Sequence, residues 1–130
     1  TDENALGLGK LLLRDGRDDV LHPGHPGLPA VPRGTPDLDW MPVVAALDLV
    51  VLTRDRRIRT RPAELRAHLE HGLRSVWIGA KHDLGPADQL DLFRRHEGRL
   101  QREIVKRGPG PWALAMSPTG LRPLALRAGR

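Results

Sequence analysis

The chain has 130 residues, the size of one domain, with 39% hydrophobic and 28% charged side chains, ordinary values for a globular fold. With no cysteine, disulfides and thiolate metal sites are excluded, leaving His, Asp, Glu and backbone oxygen as possible ligands. That absence is compatible with a reducing cytoplasm, the expected location, and no apolar run approaches the roughly 20 residues of a membrane helix. The formal net charge is +5, and the basic side is almost all arginine, with Lys10, Lys81 and Lys106 the exceptions. Guanidinium groups fork onto phosphate, so a nucleic-acid partner is expected. The same arginines, among so much Ala, Gly and Pro, also fit a coding bias, and only their placement can decide.

Glu3 to Arg14 spaces Leu6, Leu8, Leu11, Leu12 and Leu13 mostly as a helix would, with Gly16 as its stop. Asp19 to Leu21 reads as a short strand. His22 to Pro36 is dense in Pro and Gly and predicts an irregular surface loop. Thr35-Pro36-Asp37 then reads as a helix start: a Thr cap, a Pro in the first turn and acids where the helix dipole favours them. This second helix is expected to turn Trp40, Val43, Val44 and Leu47 inward.

Leu49 to Leu52 is a run of four aliphatic residues that breaks abruptly into polar ones, the pattern of a central strand buried on both faces. Pro62 to Glu70 predicts a third helix, with Leu65, Leu69 and Leu73 facing in and Gly72 ending it. Ser75 to Ile78 is a further buried strand. Pro86 to Val105 is the longest helix, with Leu90, Phe93, Leu100 and Ile104 on one stripe. After Gly108-Pro109-Gly110-Pro111, the runs Trp112 to Met116 and Leu121 to Leu126 flank Pro118-Thr119-Gly120 as a terminal hairpin. The alternation predicts a single α/β domain over residues 1–130, a three-layer α/β/α arrangement with a mostly parallel sheet.

Three carboxylates stand where elements change: Asp2 before the first helix, Asp37 opening the second, and Asp55 after the central strand. In a parallel sheet, strand ends and the following helix starts gather on one rim, so acids distant in sequence can converge there. Such a cluster repels itself unless a cation sits among the oxygens, and hard Mg²⁺ or Mn²⁺ suits all-oxygen ligation. Asp39 is the near rival of Asp37, two residues further round the helix. Each acid also has a plain role: Asp37 as a helix-start acid, Asp55 as a turn residue, Asp2 as a terminus. Arg54, Arg56, Arg57, Arg59 and Arg61 alternate along an extended segment, where they either contact successive phosphates of RNA or form a solvated loop paired with Glu64. Trp40, Trp77 and Trp112 read as core or interface residues before base-stacking platforms. His22, His25, His68 and His71 read as solvated.

Asp2-Glu3-Asn4, Pro36-Asp37-Leu38-Asp39-Trp40 and Leu52-Thr53-Arg54-Asp55-Arg56-Arg57-Ile58-Arg59 resemble the PIN-like domains of VapC-type toxins. The likeness to their short subgroup extends through Asp88-Gln89-Leu90 and Gly110-Pro111-Trp112. The resemblance implies a metal-dependent endoribonuclease, with Asp2, Asp37 and Asp55 taking the places of acids that hold Mg²⁺ or Mn²⁺. Thr53 would orient backbone or substrate beside Asp55. It also implies RNA cleavage leaving 3′-hydroxyl and 5′-phosphate ends, a small antitoxin protein as partner, and a homodimer. Two departures stand out: the fourth acid of larger members has no match, and the strand expected before Asp2 is not in the given sequence. The alternatives are a non-catalytic module of the same fold that binds RNA or protein through its arginines, and a nuclease acting on DNA.

Overall fold

Short buried strands alternate with helices through the residues that the computed structural model describes, namely 24, 26, 28–54, 61–79 and 85–126. The expected first helix, the Asp19–Leu21 strand, His22 and His25 lie outside them. Helix α1 runs Asp37–Ala46 and leads into strand β1, Val50–Thr53. Helix α2, Pro62–Glu70, precedes strand β2, Arg74–Ile78, and helix α3, Pro86–Arg107, precedes the hairpin of β3, Trp112–Ser117, and β4, Gly120–Leu124. The four strands form one sheet in the order β1-β2-β3-β4, parallel as far as β3 and antiparallel at β4. This is the α/β class with a mostly parallel sheet and the expected terminal hairpin. Among the described residues β1 stands at one end of the sheet rather than at its centre.

Side chains alternate along a strand, and the register assigns them to two apolar clusters. Leu52, Val76 and Leu114 are level with one another and join Leu92, Phe93 and Leu100 of α3. Val51 belongs to the other cluster, with Trp40, Met41 and Val44 of α1 and Ala67 of α2. A strand that must contribute to both clusters has to be apolar at successive positions, which is why residues 49–52 show no polar alternation.

Four local expectations are corrected. Pro36 is the N-cap of α1 and makes no side-chain cap bond. Thr35 sits one position too early, and its hydroxyl donates 2.6 Å to the Pro32 carbonyl, closing a turn before the helix. Leu47 is 54% exposed because α1 ends at Ala46 and the chain swings into the left-handed region at Asp48, φ 55°. The Leu49 N–H bonds the Val44 carbonyl at 3.1 Å, completing the helix end, while Met41 fills the interior position. Likewise Leu69 is left 39% exposed, and His68, expected in solvent, is fully buried.

His68 lies against β2, its Nε2 2.8 Å from the Ser75 hydroxyl. Removing the ring from water disfavours its cationic form and lowers its pKa from 6.5 to about 4, against a smaller opposing effect of the backbone. An unfolded His68 takes up its proton near pH 6.5, which the folded ring refuses until about pH 4. The neutral ring's contribution is therefore intact above pH 6.5 and is lost as pH falls through that window, by about 3 kcal/mol in all at 1.36 kcal/mol per pKa unit and by about 2 kcal/mol at pH 4.5. Urea unfolding at pH 7 and pH 4.5 should show wild type losing that much more stability than His68→Gln. Equal losses in the two proteins would contradict this account.

Candidate functional site

Parallel strands fix where the site must be sought. α2 and α3 each carry the chain back along the sheet to start the next parallel strand, so Pro62 and Pro86 begin near the carboxyl ends of β1 and β2. α1 is joined to β1 by Leu47, Asp48 and Leu49 alone, so it runs antiparallel to β1 and points its N-terminus at the same rim. The topology thus brings Asp37, Thr53 and Arg61 to one end of the sheet. Thr53 is level with Trp77 and alternates onto the same face as Val51, the face that α1 covers.

At this rim Thr53 is 2% exposed and Arg54 half-buried. The Trp77 indole N–H donates 3.0 Å to the Arg54 carbonyl, pinning the chain one residue before Asp55. Gly79 makes room for that indole, since a Cβ there would overlap the six-membered ring of Trp77. Asp37 opens α1, and its Oδ1 accepts a 2.9 Å hydrogen bond from the Trp40 indole. Because Pro36 holds the N-cap, Asp37 is not the cap residue; it lies half-buried where the helix dipole favours negative charge. Asp39 is exposed, about 200° further round the helix at 3.6 residues per turn.

Arg61, at the N-cap of α2, is 3.7 Å from Glu64, a loose pair in which the guanidinium is exposed and the carboxylate largely shielded. Asp2, Asp55, Arg56, Arg57 and Arg59 lie outside the described residues, so the proposed meeting of three acids is not drawn. Among the described residues no group of three or more His, Asp or Glu is placed to hold a metal. Nor, among those residues, is any helix long and apolar enough to cross a membrane. Trp40 and Trp112 are buried, while Trp77 is half-buried with its N–H in use. The parts that sequence reasoning missed here are the two indole N–H bonds and Gly79. A Trp three residues after an acid and a Gly two residues after a Trp were the available signals.

Gly79→Ala is expected to destabilise the fold by about 1–3 kcal/mol through overpacking against the indole. In a Trp77→Leu background the same change should cost less than about 0.5 kcal/mol, because the obstructing ring is gone. Urea unfolding of the four proteins measures the coupling, and additive losses would refute the contact.

The family model described as "PIN like domain" matches residues 1–80, more than half of the chain. No curated protein and no solved structure matches it. The matched residues include Asp2, Asp37, Asp55 and the whole arginine run, and end one residue after Gly79. The chain belongs to the PIN-like domain family.

Proposed function

We propose that the protein is a metal-dependent endoribonuclease, the toxin of a toxin–antitoxin pair, built as three α/β/α layers. The observation that carries this is that the family match spans all three candidate acids together with Thr53 and the arginines following it. Family membership supports a nuclease in general; the toxin role and RNA as substrate rest on the likeness of the acid-bearing segments to VapC-type proteins. The separation of Leu52 and Val51 into two clusters, one with α3 and one with α1 and α2, supports helices on both faces.

Asp2, Asp37 and Asp55 would hold Mg²⁺ or Mn²⁺, with Asp39 a lesser candidate. The donor set fits such an ion: it is all oxygen, and the Trp40 indole engages Asp37 Oδ1 and fixes the carboxylate. A bound divalent ion supplies an activated water and neutralises charge on the phosphodiester. Asp37 and Asp55 then position the reacting groups, and Thr53 orients the chain or substrate beside Asp55. Arg54, Arg56, Arg57, Arg59 and Arg61 draw the RNA backbone to the rim, Arg61 exchanging its weak pair with Glu64 for phosphate. A small antitoxin protein would silence the enzyme, which would act as a homodimer.

Asp37→Asn and Asp55→Asn should each reduce Mn²⁺-dependent cleavage of RNA by at least about 100-fold, the upper range for disturbing a metal ligand's surroundings. The metal-free melting temperature of Asp55→Asn should be unchanged or higher, since a repelling charge is removed, while that of Asp37→Asn should fall slightly, since the helix dipole and the Trp40 N–H favour the carboxylate. Both quantities are read on purified protein by gel assay and thermal melting. Equal cleavage by wild type and Asp55→Asn would assign the activity to a contaminant, leaving a metal-independent binding module. Cleavage confined to DNA would overturn the choice of substrate.

A further inference from the structure

α3 carries a row of cations that the candidate active site does not use. Arg95, Arg99, Arg102 and Lys106 follow one another at i, i+4, i+7 and i+11, and all four are exposed. At about 1.5 Å rise per residue, neighbours stand about 4.5–6 Å apart along the axis in a row about 16 Å long. The opposite face, with Phe93 and Leu100, is packed into the core. This half of the helix lies beyond the residues matched by the family model.

Two features separate the row from an ordinary solvated face. The helix dipole favours cations only in the last turn, which holds Lys106 and Arg107 and leaves Arg95, Arg99 and Arg102 without that reason. Local pairing does not account for the row either. Glu103 is 3.0 Å from Arg107, off the row, and Asp91 is 3.1 Å from Arg95. Among the described residues no ion pair reaches Arg99, Arg102 or Lys106. Arg99 leans toward the hairpin instead, its Nη1 3.2 Å from where a Cβ on Gly120 would stand. The row therefore contains three like-charged neighbour pairs at i,i+3 or i,i+4 spacing, each of which weakens a helix.

We propose that this face of α3 is a track for the phosphate backbone of single-stranded RNA. A polyanion turns that repulsion into attraction, and a straight series of mostly guanidinium donors suits successive phosphates. A protein interface would carry several apolar or aromatic anchors among its charges, whereas the row is flanked by Gly98, Gln101 and a single exposed apolar side chain, Val105. With no aromatic side chain in the row, binding is electrostatic and indifferent to sequence. α3 starts at the carboxyl rim, and Arg95 comes nine residues later, about 13 Å along the axis. An RNA strand held at the rim can thus continue onto the helix. The choice of RNA over other polyanions rests on the nuclease reading above.

The test measures binding of a labelled, unstructured RNA to the full chain across a salt series in EDTA, so that no cleavage intervenes. Arg99→Gln with Arg102→Gln should make the plot of log K against log salt shallower by about 1.4, at about 0.7 per single-strand phosphate contact. The control, Arg66→Gln with Arg122→Gln, removes the same net charge from exposed positions on α2 and β4 and should leave the slope nearly unchanged. Without RNA at low salt, the α3 variant should melt higher than wild type, which shows that it folds and that the repulsion is relieved. Equal slopes for the two double variants, or failure of wild type to bind, would overturn the proposal. So would loss of binding to an acidic peptide with RNA binding retained, which would assign the face to a protein. Because cleavage is not read, an inactive enzyme that still shows the slope change sinks the nuclease reading and leaves the track.

Discussion

Parallel pairing of β1, β2 and β3 is the constraint on which the rest of the molecule depends. Two parallel strands cannot be joined by a tight turn, so the chain must return the length of the sheet between them, and α2 and α3 make those returns. The strands have to be apolar on both sides because helices pack against both. Polar residues are few along them: Ser75 is buried against His68 of α2, and Thr53 stands at the end of its strand. A polar rim is the geometric consequence: Thr53 and Arg54 follow one strand to its end, Gly79 follows the next, and the N-terminus of α1 points to the same end of the sheet.

The rim is stiffened by tryptophan. The indoles of Trp40 and Trp77 each place an apolar body against the sheet or helix and aim a single N–H at the rim, one at a carboxylate and one at a main-chain carbonyl. Neither bond adds much stability by itself, about 1 kcal/mol each. Their effect is to remove freedom from Asp37 and from the chain before Asp55, which the proposed chemistry would need held still, and Gly79 leaves the space that the Trp77 ring occupies.

Most element types were legible because their periodicities are strong. The aliphatic run before Thr53, the apolar stripe of α3 and the Pro-Thr-Gly turn between β3 and β4 each have one reading. The errors came where a residue's usual habit yields to its neighbours. Leu47 has every reason to be inside except that its helix has already ended, which depends on the backbone at Asp48. His68 has every reason to be outside except that it occupies the interior turn of α2 opposite Ser75, a partner that only folding supplies. Thr35 is a good cap shifted by one residue. In the site, the order of acids was readable, but the hydrogen bonds holding Asp37 and the Arg54 carbonyl were not, since each depends on an indole's orientation. Which strand lies at the sheet's centre was also hidden, because burial on both faces looks the same from the sequence at either position.

Composition left open whether the arginines serve a partner or record a coding bias, and their placement bears on that choice. Some are found with nearby acids, as Arg61 is with Glu64, Arg95 with Asp91 and Arg107 with Glu103, while among the described residues no ion pair reaches Arg99, Arg102 or Lys106. A bias in codon usage has no means of counting residues in units of a helical turn. Arg95, Arg99, Arg102 and Lys106 keep to one stripe, with Arg94 and Arg107 off it; the four accept their mutual repulsion and extend well before the last turn, where the dipole would welcome them. On the proposed reading, a polyanion lying along the helix offsets that repulsion.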